Sequence, residues 1–294
     1  MELRKINENC YYFSSAVNAG YILNEGEGML IDTGIDDSSI KKMLKILLQE
    51  NLPLDYCIIT HAHTDHFGGA SYLKKKGIKL FAPVFEKAIM ENPLLEPVYL
   101  WNGAFPLKEL RNKFLEGKPV EIDEWFSPGE MKVGAFKLEA LHLPGHSIGQ
   151  AGIVYNDILF AADSYFGQEA LEKHIVPFIT DAQRTIETLE RIMSLSVEGA
   201  VPGHGELERD ITATIEANIS LHNKLLGQII DIAGNSKRDF DCMLKEFLDL
   251  NGIDAGSLGQ YLLYRTSFTA YLTKLVSDGI LKVTLEKNKI YISK

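Results

Sequence analysis

Three histidines and an aspartate fall within six residues, at His61, His63, Asp65 and His66. They directly follow the run Asp-Tyr-Cys-Ile-Ile-Thr at 55–60, which reads as a buried strand. Neutral imidazole is a ligand for zinc, iron or copper, and a carboxylate widens the choice toward iron and manganese. Alternate residues of an extended segment point the same way. His61, His63 and Asp65 are therefore expected on one side, with His66 turning in where the next helix begins. A lone histidine is more often a hydrogen-bonded core residue than a ligand, but that does not explain this density. Three later segments repeat one design, a short strand ending in a ligand type beside small residues. They are Leu143-Pro144-Gly145-His146-Ser147, Phe160-Ala161-Ala162-Asp163-Ser164 and Val201-Pro202-Gly203-His204-Gly205. Glycine beside a histidine permits a tight turn and close backbone approach. Together the four segments supply five histidines and two aspartates.

The elements that must position these residues alternate in type. Apolar or aromatic runs at 11–13, 19–23 and 29–31, broken by Asn24-Glu25-Gly26 and Asp32-Thr33-Gly34, read as strands with tight turns. Ile40, Met43, Leu44, Leu47 and Leu48 repeat at helical spacing behind the cap candidates Asp36, Asp37 and Ser38. A helix to Lys76 and a strand at 78–82 follow the histidine cluster, a strand–loop–helix order typical of α/β architecture. Residues 83–128 differ: Pro93, Pro97, Pro106, Pro119 and Pro128 are interleaved with Tyr99, Trp101, Phe105, Phe114, Trp125 and Phe126, which suits an insertion or lid. Short strands resume over 131–160. A helix covers 181–193 and a short strand at 197–201 leads into Pro202. Beyond Glu206 the pattern becomes a long helix (211–233), then a helix begun by a capping-box-like Ser236 and Asp239 and running to about Leu250. A helix at 266–277 and two short strands at 280–285 and 289–292 complete it, an order resembling a winged helix. The expected division is a catalytic unit over 1–209 and a helical, winged-helix-like unit over 210–294.

Composition narrows the class. With 46% hydrophobic and 24% charged residues the chain reads as an ordinary globular protein with a sizeable core. Its net charge of -10 repels phosphate backbones on average. Cys10, Cys57 and Cys242 are few, odd in number and far apart, which fits a reducing cytoplasm rather than a disulfide framework. The first residues carry Glu2, Arg4, Lys5 and Glu8 with no apolar segment of a signal peptide, and no run approaches the roughly 18 apolar residues of a membrane span.

At this point the chain resembles the metallo-β-lactamase superfamily. The signature His-x-His-x-Asp-His is matched by His61 to His66, and the family's later histidine, aspartate and histidine by His146, Asp163 and His204, over about residues 10 to 205. The resemblance implies a four-layer αβ/βα sandwich with the site at one edge of two facing sheets. It implies that His61, His63 and His146 hold one metal, that Asp65, His66 and His204 hold a second, and that Asp163 bridges them. Antibiotic-cleaving members generally lack the bridging aspartate, so Asp163 places the chain nearer the glyoxalase-II-like, lactonase and nuclease branches, here with a winged-helix-like tail. His63 in place of a glutamate separates it from the diiron oxygen-reducing members. Mono-iron sulfur-oxidising relatives keep much the same histidines.

Two cations about 3.5–4 Å apart share a water and lower its pKa toward about 7, giving a bridging hydroxide as nucleophile. The expected cofactors are two divalent metal ions, zinc first, with iron or manganese as alternatives. Asp65 is the candidate to orient the hydroxide and pass its proton to the leaving group. Tyr165, two residues past Asp163, is a candidate hydrogen-bond donor to a substrate oxygen, with core packing as the competing role. Asp32 is expected to support the metal loop from behind, His174 to lie near the site mouth, and His142 and His222 to be structural. The leading function is hydrolysis of a small thioester, ester or lactone. The alternatives are a phosphodiesterase or ribonuclease, and an iron-dependent redox enzyme of oxygen or sulfur chemistry. The tail's charge is near balance, which disfavours nucleic acid as partner; a homodimer contact or a pocket rim is the other use for it.

Overall fold

A computed structural model describes residues Met1–Lys294. Strands β1 (Glu2–Lys5), β2 (Cys10–Ser14), β3 (Ala19–Asn24) and β4 (Glu27–Ile31) form an antiparallel meander. To it β5 (Tyr56–Ile58), β6 (Lys79–Pro83) and β7 (Glu124–Phe126) add in parallel, making a seven-stranded sheet in chain order. Parallel neighbours need crossovers. These are α1 (Asp37–Gln49), then α2 (Thr64–Phe67) with α3 (Ala70–Lys75), then α4 (Val84–Glu91) with α5 (Leu95–Leu100). Asp36 caps α1 by accepting from the backbone N–H groups of Ser38 and Ser39.

The second sheet has the order β12-β11-β10-β9-β8. Its strands are β8 (Gly129–Val133), β9 (Phe136–His142), β10 (Ala151–Tyr155), β11 (Ile158–Phe166) and β12 (Gly199–His204), and β11 leads through α6 (Gln168–Lys173) and α7 (Ala182–Met193) into β12. Two antiparallel steps bring β9 into the direction of β11, and β12 is parallel to β11. The chain therefore leaves all three on the same side, at 143–146, 163 and 204.

Period-two alternation sorts side chains into layers. In β4, Met29 and Ile31 face Phe136, Ile153 and Phe160 of the other sheet, while Leu30 packs with Ile40, Met43 and Leu73 of α1 and α3. In β11, Ile158 and Phe160 face inward, and Leu159 and Ala161 meet Leu189, Ile192 and Ile215 on the far helices. Helix, sheet, sheet, helix is the four-layer αβ/βα sandwich. From Thr212 the chain adds α8 (Thr212–Ala233), α9 (Phe240–Leu250) and α10 (Leu258–Ser277). A three-stranded sheet accompanies them, β13 (Arg238–Asp239) beside β15 (Lys289–Ser293) beside β14 (Lys282–Glu286). These elements share one core of Leu225, Met243, Phe247, Phe268, Leu275 and Ile292, joined by Val176 and Ile179 from before α7.

Four local expectations are corrected. Residues 124–126 of the insertion are a strand of the main sheet. The cap of α9 is Asp239, which accepts from the N–H groups of Asp241 and Cys242, while Ser236 lies outside the helix. Helix α10 starts at Leu258, eight residues before 266, under a Ser257 cap. Asp65 belongs to the short helix α2 rather than to an extended loop, so alternation does not govern it, while His66 turns in on that helix as expected.

Candidate metal centre

The ligands follow β5 and β9, lie within the last residues of β11 (Asp163) and close β12 (His204), and the four segments meet at one edge of the two sheets. The ligand atoms of His61, His63 and His146 lie within 4.8 Å of one another, and those of Asp65, His66, Asp163 and His204 form a second such group. Because Asp65 sits in the first turn of α2, it turns away from His61 and His63 into the second group. His63 Nδ1 stands 2.7 Å from His146 Nε2. Asp163 lies between the groups: Oδ2 is 3.4 Å from His146 Nε2 and 3.5 Å from His204 Nε2, and Oδ1 is 3.2 Å from His66 Nε2. Asp65 Oδ2 is 3.8 Å from His204 Nε2. All seven residues read from the sequence are thus brought together.

Four of the histidines are held from behind. His61 Nδ1 is 3.1 Å from Thr60 Oγ1, His66 Nδ1 2.8 Å from Asp32 Oδ2, His146 Nδ1 2.9 Å from the Phe178 carbonyl and His204 Nδ1 3.0 Å from the Ala16 carbonyl. Asp32 also accepts from the Thr60 N–H and hydroxyl. Such outer partners fix tautomer and ring orientation. On the inner side His61 Nε2, His66 Nε2 and Asp163 Oδ1 are buried without an aligned hydrogen bond, the short His66–Asp163 separation notwithstanding. Each such orphan costs about 1–3 kcal/mol, and with one in the first group and two in the second, both groups need a partner on their inner side. Five imidazoles and two carboxylates with orphaned inner atoms fit divalent metal ions.

The electrostatics divide along the same line. Burial drives His61 and His63 down and His146 to about 4, helped by the neighbouring histidines, so these rings are neutral and offer lone pairs. In the second group burial opposes charge, yet Asp163 and Asp32 hold His66 well above its ordinary value. Asp163 raises His204 against burial in the same way, and those two histidines hold Asp163 well below the usual carboxylate range. A metal in the second group would replace a proton.

The backbone is unusual where these residues turn. Asp32 and Ala162 adopt φ of 69° and 49°, left-handed values uncommon without glycine, and the β11–β12 ladder shifts register on either side of Ala162. At Gly203 an added Cβ would lie 2.1 Å from Asp163 Oδ1. The small residue before His204 is therefore required by the close approach of a ligand side chain.

The groups open onto a cavity of about 350 Å³. Its apolar wall includes Ile35, Phe114, Leu115, Val176, Phe178 and Leu263, so the insertion and α10 both line it, and Lys173 and His174 stand at one side with His204. His174 thus lies where expected. Tyr165 does not line this cavity: it is 1% exposed, packs among Leu141, Leu189 and Ile192, and its hydroxyl has no partner. The ladder shift between Ala162 and Phe166 parts it from Asp163.

Two buried glutamates of the insertion were not read from the sequence. Glu96 stands 3.8 Å from His63 Nε2 and accepts from the Tyr99 hydroxyl, and burial pushes it up to about 8. Glu86 accepts from Ala62, Ser147 and Gly149. The available signal was a carboxylate on an apolar helical stripe, Glu86 four residues before Met90 and Glu96 four before Leu100.

Comparison with known proteins follows the same outline. Two solved structures share the fold: a metallo-beta-lactamase family protein from Thermus thermophilus (TM-score 0.75, 17% identity, 95% of this chain and 94% of that one) and a beta-lactamase domain protein from Burkholderia ambifaria (TM-score 0.78, 16% identity, 100% and 93%). In sequence the chain is similar to the beta-lactamase-like protein 2 homolog of Drosophila melanogaster, 26% identical over 71% of this chain and 66% of the relative. It is also similar to a hydroxyacylglutathione hydrolase of Vibrio campbellii, 28% identical over 57% of this chain and 54% of the relative. The chain thus spans between half and two thirds of the length of these curated relatives. The metallo-beta-lactamase superfamily model matches residues 14–204, from the end of β2 to the last histidine of the cluster, and to that superfamily the chain belongs.

Proposed function

We propose that the protein is a dinuclear metal-dependent hydrolase of a small thioester, ester or lactone, with zinc as the metal. The observation that carries this reading is the pair of adjoining donor groups, with Asp163 of the second 3.4 Å from His146 of the first, at the wall of a largely apolar cavity. Bound there, divalent ions supply Lewis acidity, activating water as the nucleophile and polarising the acyl carbonyl. His61, His63 and His146 would hold one ion, Asp65, His66 and His204 the other, with Asp163 between them. Asp65 faces the cavity and has the part-exposed carboxylate needed to orient the attacking water and pass its proton to the leaving group. Phe114, Leu115, Val176 and Leu263 would seat an apolar acyl portion and exclude water from it.

Charge supports acyl rather than phosphodiester substrates. Lys173 is the one lysine of the cavity lining, which has no arginine and carries Asp65, Glu96 and Asp163 as well. In the tail, Arg238, Lys245, Lys274 and Lys289 pair with Glu246, Asp249, Asp278 and Asp239. We read 1–209 as the catalytic unit and 210–294 as a tail whose α10 completes the pocket. Three free cysteines, and no helix long and apolar enough to cross a membrane, accord with work in the cytoplasm.

The test is turnover of a panel of acyl thioesters, esters and lactones by Asp65→Asn. The expected loss is about 10²–10⁴-fold in kcat with the thermal midpoint nearly unchanged. Full activity in that variant would remove Asp65 from the chemistry.

A further inference from the structure

The three histidines of the first group come from two loops on different sheets. His61 and His63 follow β5 of the seven-stranded sheet, and His146 follows β9 of the five-stranded one. Their rings stand 4.5–5.1 Å apart, centroid to centroid, at nearly right angles. One backbone bond, Ala151 N–H to the Thr60 carbonyl at 3.0 Å, links the two sheets nearby. A further link is a side chain from neither loop. Glu86, in the first turn of α4 and 2% exposed, places Oε2 2.8 Å from the N–H of Ala62, the residue between His61 and His63. Its Oε1 accepts from the Ser147 hydroxyl at 2.8 Å and the Gly149 N–H at 2.7 Å, on the loop just past His146.

We propose that Glu86 is a positioning residue that ties the two histidine loops together and so sets the geometry and affinity of the His61–His63–His146 metal site, selectively over the Asp65–His66–Asp163–His204 group. The selectivity follows from the contacts. The second group is braced by Asp32 behind His66 and by the close fit of Gly203 against Asp163, and Glu86 touches neither. The chemistry demands a carboxylate. Two of the three donors are backbone N–H groups that cannot turn round, one on each side. A glutamine has one accepting oxygen, and its NH₂ has no lone pair to offer. Either amide orientation sets that NH₂ against a fixed N–H, of Ala62 or of Gly149, and pushes one loop away. The insertion then has a purpose beyond covering the pocket, since α4 carries this brace.

This inference rests on the reading that the three histidines hold a metal, and the test separates the two. Zinc alone is titrated into metal-free protein in competition with a chromophoric chelator, and cobalt spectra report the geometry of each site. Wild-type protein should bind two equivalents. Glu86→Gln should bind one of them about tenfold or more weakly, with the other unchanged and an altered cobalt spectrum for the weakened site. Ser147→Ala, which removes one rotatable donor, should give a smaller loss at the same site and serves if Glu86→Gln does not fold. Leu275→Ala, in the core of the C-terminal helices, supplies a matched loss of thermal midpoint. Equal affinities in wild type and both site variants would overturn the positioning role, as would equal weakening in Leu275→Ala. Failure of wild type to bind zinc would overturn the metal reading itself.

Discussion

His61 and His222 are equally hidden, 0% and 3% exposed, yet they sit in opposite kinds of surroundings. Around His222 the buried polar groups, the Tyr165 hydroxyl aside, find partners inside the chain. Its Nδ1 is 2.8 Å from the Tyr271 hydroxyl, Asn218 exchanges hydrogen bonds with both backbone groups of Phe166, and Ser267 Oγ donates to Leu263 and accepts from Ile179. Around His61 the outer atoms are paired and the inner ones are not. Burial of a histidine therefore says little by itself. A lone orphan such as the Tyr165 hydroxyl marks nothing, whereas several orphaned ligand atoms gathered in adjoining groups mark a metal site.

Substitutions at His61, His222 and Gly203 test that contrast, beginning with the largest effect. His61→Ala should abolish hydrolysis and reduce zinc binding by one equivalent while moving the metal-free thermal midpoint less than His222→Ala does, because it removes the unpartnered buried Nε2 and the Thr60 hydroxyl it leaves keeps Asp32 as a partner. Retained turnover, read in the thioester assay, would close the distinction between the two histidines. His222→Ala should do the reverse. It leaves a cavity and an unpaired Tyr271 hydroxyl, costing about 2–4 kcal/mol in denaturant unfolding, with zinc stoichiometry unchanged.

The same histidine predicts a pH dependence. Burial pushes His222 down to about 4, whereas in the unfolded chain it titrates near 6.5. A depressed histidine contributes stability above pH 6.5 that is lost as pH falls toward 4, a gap of about 3 kcal/mol. The metal-free wild type should lose that much more stability across this window than His222→Asn; parallel curves would show that His222 is not neutral in the fold. The smallest effect is that of Gly203→Ala. The new Cβ must displace Asp163, and zinc should bind about tenfold more weakly with the fold intact by circular dichroism. Unchanged affinity would mean that Asp163 is not held where the metals require it.

How far these regions were legible in the sequence follows from the same physics. The seven cluster residues stand out because ligand types crowd at strand ends beside small residues, and the structure gathers all of them. Strands β2–β6 and helices α1, α7 and α8 announce themselves by period and caps. Strand β1 does not, since Glu2, Arg4 and Lys5 give it the charged texture of a protected sheet edge. The start of α10 is hidden because Gly256, Gly259 and Gln260 read as loop, and only the Ser257 cap, accepting from the Gln260 N–H, reveals it. Tyr165 is only two residues past Asp163, but the register shift that parts them is not visible in the sequence. Glu86 and Glu96 show in the sequence only as carboxylates on apolar helical stripes, and the partners of Glu86, up to 63 residues away, are beyond any local pattern.

The measurement that bears most directly on the central claim is the metal content of protein purified without chelator or added metal. It should be taken before and after dialysis against a chelator, with thioester turnover followed in parallel. The account predicts about two zinc ions per chain, with activity lost as they leave and restored as they return. Protein that carries no stoichiometric metal and keeps full activity after chelation would contradict it, and one or two irons per chain would put redox chemistry in place of hydrolysis.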